Sequence, residues 1–129
     1  MVTKRNRREA RQYAFQMLYA NEFHIDQNDV QFPEGNIHKA MDKAYANSII
    51  EGVLSNVEAI DATLQLFCKS RKVANLDKVD RSILRIAVWE MTNKVEPLEP
   101  SIAINEAIQL AKEFGSDASY KLINAILDA

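Results

Sequence analysis

Lys4, Arg5, Arg7, Arg8 and Arg11 place five cations within the first eleven residues, against a single acid, Glu9. The segment carries a net +4 in a chain whose formal net charge is −2, leaving −6 on the remainder. Asn6 followed three residues later by Glu9 has the spacing of an N-cap with a reciprocal acid. It predicts a helix starting at Asn6, with Arg7 and Arg8 in the first turn. That end of a helix is its positive pole, and each cation added there costs roughly 0.3–1 kcal/mol. A local rule broken so plainly marks a candidate functional site. Phosphate resolves the conflict, because helix N-termini and guanidinium forks both accept it. The chemistry indicated is capture of a phosphate backbone, and a patch of four or five cations suits a short single strand better than a long duplex. A solvated basic tail and an acidic protein partner stay open on the residues alone.

Elsewhere the residues that could do chemistry are scattered. His24 and His38 lie fourteen positions apart with no cysteine or acid cluster beside them, unlike a metal-ligand set. Glycines at 35, 52 and 115 cannot build a phosphate loop. Cys68 follows an aromatic on an apolar face and reads as core filler. Ser101, Ser116 and Ser119 read as helix caps or small contacts, since no histidine accompanies them. Glu96 and Glu99 sit in a Pro-containing turn and read as solvated. The expectation is a protein that is not an enzyme and holds neither metal nor cofactor.

The elements that position the basic cluster follow from apolar spacing. A chain of 129 residues fits one domain, 1–129, with residues 1–5 expected as a flexible basic arm. With three glycines, three prolines and long apolar segments, it reads as all-α, a bundle of six or seven helices. Ala10, Ala14, Met17, Leu18 and Asn21 share one stripe of a first helix reaching Phe23. Lys4, Arg8 and Arg11 run along the neighbouring stripe, beside the buried face. Residues 25–36 read as a loop with Pro33 and Gly35. A second helix runs from about Ile37 to Leu54, and Ser55 with Glu58 reads as a capping box that restarts it. After a basic connection, Asn75 is expected to cap a helix over Asp77–Asn93 that is apolar almost all round and therefore central. Ser101 opens a fifth helix, and Gly115 ends it where a left-handed residue is expected. Ser116 or Asp117 caps the last. No apolar stretch approaches a membrane span, and no apolar region follows MVTKRNRR as in a secretory signal. A cytoplasmic location is expected.

Four blocks, RREARQYAFQMLY (7–19), VDRSILRIAVWEM (79–91), AINEAIQLAKEFG (103–115) and KLINAILD (121–128), resemble the NusB family of bacterial transcription antitermination factors. They lie in the family's order and cover nearly the whole chain. The resemblance implies two packed three-helix sub-bundles. It also implies binding of the boxA element of ribosomal RNA leader transcripts, together with the small-subunit ribosomal protein NusE, in an antitermination complex on RNA polymerase. By it, Arg7, Arg8 and Arg11 carry over as RNA ligands, with Lys4 and Arg5 as companions. Tyr19 and Glu90 carry over to the NusE side, and Asp128 to the RNA path, where its carboxylate would moderate affinity. Leu122, Ala125 and Trp89 depart from the family's usual Phe, Gly and Tyr, and a basic tail found in some relatives is missing after the last helix.

Several of these residues also have plainer readings. Asn105 and Glu106 read as capping or bridging neighbouring helices, and Arg81 and Arg85, at i and i+4, as internal salt-bridge partners. Trp89 continues that row and could lie against an arginine plane. Two rival functions stand beside antitermination. One is an accessory RNA-binding region for an rRNA methyltransferase, which would need a separate catalytic subunit. The other is a protein-only scaffold using Tyr19 and Glu90.

Overall fold

A computed structural model describes residues 4–22, 42–68, 71–93 and 97–127, with side chains from Arg7 onward. These residues form six α-helices and no strand: α1 (Lys4–Glu22), α2 (Lys43–Ser55), α3 (Val57–Phe67), α4 (Lys78–Thr92), α5 (Pro100–Phe114) and α6 (Asp117–Leu127). A single 3-10 turn, Val73–Asn75, leads into α4. The second helix is therefore described only from Lys43, and the 25–36 loop, His24 and His38 lie outside the described residues.

Helix α4 is the hub, packed against each of the other five helices. Its sequence explains this: Ile83, Leu84, Ile86, Ala87 and Val88 are all buried, so no side is wholly polar and every side needs a neighbour. Helices α4, α5 and α6 make one three-helix bundle. Helix α1 lies along α2, and α1, α2 and α3 each pack onto α4. The main core joins Ala14, Phe15 and Leu18 of α1 to Ile49 and Val53 of α2, Ile60 and Leu64 of α3, and Ile123 and Ile126 of α6. Cys68 closes one side of it, as expected of a filler, and burial raises its thiol pKa. Asn21 of the expected stripe is exposed.

The helix ends depart from the expected caps in instructive ways. Helix α1 begins at Lys4, not Asn6, so Lys4 and Arg5 belong to the helix and not to an arm. Its first turn contains no acid, which makes the clash between cations and helix dipole larger than the sequence implied. The break after α2 falls at Asn56, whose Nδ2 donates back to the Gly52 carbonyl (2.8 Å). Ser55 is the last residue of α2, not a cap. Asp77 caps α4 by accepting from the Val79 N–H (3.1 Å), displacing Asn75 from that role. Helix α5 starts at Pro100, where the missing N–H loses no helical bond. Ser116 caps α6 by accepting from the Ser119 N–H (3.2 Å).

Gly115 is extended, with φ −102°, so the expectation of a left-handed residue fails. Glycine is needed there for space: a Cβ would lie 2.7 Å from Ser119 Cβ and 2.9 Å from the Ala111 carbonyl. Gly52 is tighter still, because a Cβ would overlap the Trp89 indole, 2.5 Å from Cε2 and 2.7 Å from Cδ1. The indole is rigid and half-buried against the core. Gly52→Ala should therefore destabilise the fold by about 1–3 kcal/mol, as overpacking does. A lower urea midpoint with a shifted tryptophan emission is the expected result.

Candidate nucleic-acid interface

The same helical periodicity that buries Ala10, Ala14, Met17 and Leu18 sets positions 7, 8 and 11 on the flank of α1. Three neighbouring helices decide what becomes of them. Arg11 turns inward, with a side chain only 4% exposed, and its Nε donates to Glu90 Oε2 at 2.8 Å and to Oε1 at 2.9 Å. Glu90 is 1% exposed and also accepts from the Tyr45 hydroxyl. Arg11 Nη1 lies 3.8 Å from Glu106 Oε1. Arg8 donates to that same carboxylate, through Nε to Oε2 and Nη2 to Oε1, both at 3.1 Å. Unlike Arg11, the Arg8 side chain is 44% exposed, and these two bonds engage two of a guanidinium's five donors. The hydrogen bond to Glu106 and the charge of that carboxylate raise the pKa of Arg8. Arg7 lies with Cζ 4.4 Å from the Tyr45 ring centroid, and Arg11 approaches the same ring at 5.6 Å.

The cations of α1 thus separate into two roles. Arg7 and Arg8 flank solvent, each held by a residue from another helix. Arg11 is enclosed, with its guanidinium between the Glu90 and Glu106 carboxylates. Its distance from water follows from its place about two turns into α1, a helix that packs against both α2 and α4. Glu90 is likewise buried and accepts from Arg11 and Tyr45. Tyr19 is half-buried and stacks on Phe15 (5.7 Å), which in turn stacks on Phe114 (4.6 Å). The side chains of Lys4 and Arg5 lie outside the described residues, as does Asp128.

Two residues central to this arrangement carry no site signal in the sequence. Glu106 is a bridge between helices, as its position suggests, but its partners Arg8 and Arg11 are remote along the chain. Tyr45 reads there only as an apolar position. Burial, reinforced by the Glu90 charge, pushes its phenol pKa well above the usual value, so it stays a donor. Arg81 and Arg85 are internal, as their spacing suggests. Both bond Glu22, at 3.0 and 2.6 Å, and Arg85 also holds Asp61 at 2.8 Å. Trp89 meets the Tyr45 ring edge-on at 6.2 Å.

A recess of about 570 Å3 opens between the starts of α4 and α6, lined by Arg71, Leu76, Asp80, Gly115 and Ser119 among others. Asp80 is 6% exposed, and its Oδ1 has no hydrogen-bond partner among the described residues. Burial is the main cause of its raised carboxyl pKa, which a hydrogen bond from Ser119 opposes. Among the described residues no three His, Cys, Asp or Glu side chains gather as a metal site.

Comparison with known proteins fits this architecture. The family model described as the NusB family matches residues 8–129. The chain belongs to the NusB family. The transcription antitermination protein NusB of Bdellovibrio bacteriovorus is 40% identical over 125 residues, covering 95% of this chain and 92% of that protein. The protein of the same name from Yersinia pestis (strain Pestoides F) is 38% identical over 127 residues, covering 95% and 89%. Among solved structures, T. maritima NusB superposes with a TM-score of 0.72 at 28% identity, covering 99% of this chain and 90% of that one. A NusB crystallised with NusE and double-stranded RNA shares the fold, with a TM-score of 0.74 at 20% identity and 98% and 96% coverage.

Two outcomes follow from this geometry. Glu90→Leu leaves Arg11 buried without its main counter-charge and should cost about 3–5 kcal/mol, whereas Arg11→Met/Glu90→Leu together should recover most of that loss. Denaturant midpoints of the single and double variants decide it. Asp80 has a raised folded-state pKa, so its favourable contribution is present below its unfolded pKa of about 4, and is lost as pH rises through the folded value. Asp80→Asn should therefore raise Tm at pH 7, with the gain vanishing as pH falls below about 4.

Proposed function

We propose that this NusB-family protein is a cytoplasmic transcription antitermination factor. It binds the single-stranded boxA element of ribosomal RNA leader transcripts together with NusE, and joins the elongating RNA polymerase complex. The observation that carries the reading is the pair Arg7 and Arg8 at the start of α1, beside solvent and each fixed in place by another helix. The pair lies about one turn from the N-terminus of α1, and guanidinium edges and helix amides both grip phosphate. Family membership supplies the class of ligand. The NusB crystallised with NusE and RNA supports both as partners, although its RNA is a duplex.

In this reading Arg7 and Arg8 supply affinity with little sequence information. Sequence is read where unstacked bases meet a surface shared with NusE. Lys4 and Arg5 extend the basic edge toward the helix start, and Asp128 moderates affinity from the end of the chain. Tyr19 serves the NusE side from its half-buried position. Arg11 and Glu90 act one step back, as the internal pair that sets α1 on α4.

Replacing both cations, Arg7→Ala/Arg8→Ala, should weaken binding to a boxA-like RNA with or without NusE. It should also flatten the plot of log affinity against log salt by about 1.4, at about 0.7 per single-strand phosphate contact. Helical circular dichroism should stay unchanged. Unaltered binding and salt slope in the double variant would refute the assignment. No shift of boxA-like RNA by the unsubstituted protein, with NusE or without it, would favour the protein-only scaffold.

A further inference from the structure

We infer that Tyr45 is a positioning residue for RNA capture, a fixed aromatic platform on α2 that holds the Arg7 guanidinium of α1 in place for phosphate. The inference rests on the RNA-binding reading above and adds to it a residue outside the basic helix.

The platform is held at three points. Tyr45 sits in the first turn of α2, where its backbone N–H donates to the capping carboxylate of Asp42 (3.0 Å). Its hydroxyl donates to Glu90, the same carboxylate that anchors Arg11. Its ring takes the Trp89 indole edge-on at 6.2 Å, and Trp89 has room only because residue 52 is glycine. A ring so constrained has one orientation to offer, and the Arg7 guanidinium lies 4.4 Å from its centroid.

Stacking suits this task better than an ion pair. An aromatic ring attracts a guanidinium through its face and engages no N–H. Arg8 gives two donors to Glu106 in return for its fixed position. Tyr45 holds Arg7 through the face of a neutral ring and so adds no negative charge beside the incoming phosphate. An arginine already ordered loses less side-chain freedom when it binds, and that saving appears as affinity. Tyr45 therefore acts through Arg7, and its value depends on Arg7 being present.

The test is a double-substitution cycle read by RNA affinity and salt slope. Tyr45→Leu removes the platform and the hydroxyl. Tyr45→Met serves instead if Leu brings unfolding near the assay temperature, and Tyr45→Phe removes the hydroxyl alone. Tyr45→Leu should weaken boxA-like RNA binding by about threefold to tenfold and leave the salt slope nearly unchanged, because Arg7 is still present to neutralise its phosphate. Tyr45→Phe should keep both RNA readouts while lowering stability, because only the bond to Glu90 is gone. Combining Tyr45→Leu with Arg7→Ala should bind no worse than Arg7→Ala alone. Losses that add in the combined variant would overturn the inference, as would RNA affinity that Tyr45→Leu leaves unchanged. If Arg7→Ala/Arg8→Ala itself leaves RNA binding intact, it is the RNA-binding reading that fails. If that variant weakens binding and Tyr45→Leu does not, the platform alone is wrong.

Discussion

The enclosed pair of Arg11 and Glu90 is the interaction on which the basic end of this protein depends. It joins α1 to the central helix at a point where both side chains are almost wholly shielded from water. Two charges are costly to bury, and an apolar pair of the same volume would often be as stable. What the ion pair adds is direction. A carboxylate with two arginine bonds and a tyrosine bond accepts one rotation of α1 about its axis and one depth of seating. Hydrophobic contacts alone tolerate small slides. Once Arg11 is seated, Arg7 must lie one turn earlier on the same flank, over Tyr45, and Arg8 must lie beside Glu106.

Seen from that pair, the frustrated start of α1 has a physical logic. Cations in the first turn oppose the helix dipole, and no acid in that turn relieves them. Relief comes partly from other helices, through Glu106 and the face of Tyr45. It stays incomplete for as long as Arg8 keeps a large exposed fraction. In the proposed function a bound phosphate would complete it, turning the conflict that weakens the helix into binding energy. The second charged cluster, Glu22 with Arg81, Arg85 and Asp61, shows the contrast. Its arginines are closed by acids and fasten the far end of α1 to α3 and α4.

The different surroundings of Arg7, Arg8 and Arg11 carry a general point about basic helices. Spacing places residues on a flank, but a flank has two edges, and a single turn decides between an exposed cation and an enclosed one. Arg8 and Arg11 differ by three positions and share one carboxylate neighbour, Glu106. Yet one is largely exposed and the other enclosed, because only Arg11 faces the seam with α4.

Much of this was legible in the residues. The apolar period gave the helices, the all-round apolar run in 79–91 gave the central one, and the cation count marked the basic end. The four sequence blocks gave the family. These are local or compositional signals, fixed by what neighbouring positions can do on one helix. Helix ends were less legible: Asp77 and not Asn75 caps α4, and Gly115 is required by the approach of Ser119 and not by a left-handed turn. Partnerships between distant segments were not legible at all. That Arg11 meets Glu90, that Glu106 meets Arg8, and that Tyr45 lies beneath Arg7 are consequences of how α1, α2, α4 and α5 pack. The sequence alone determined which side chains could be charged, apolar or helical. Only the tertiary structure decided which charges face water, because burial belongs to the contact between helices and not to any one of them.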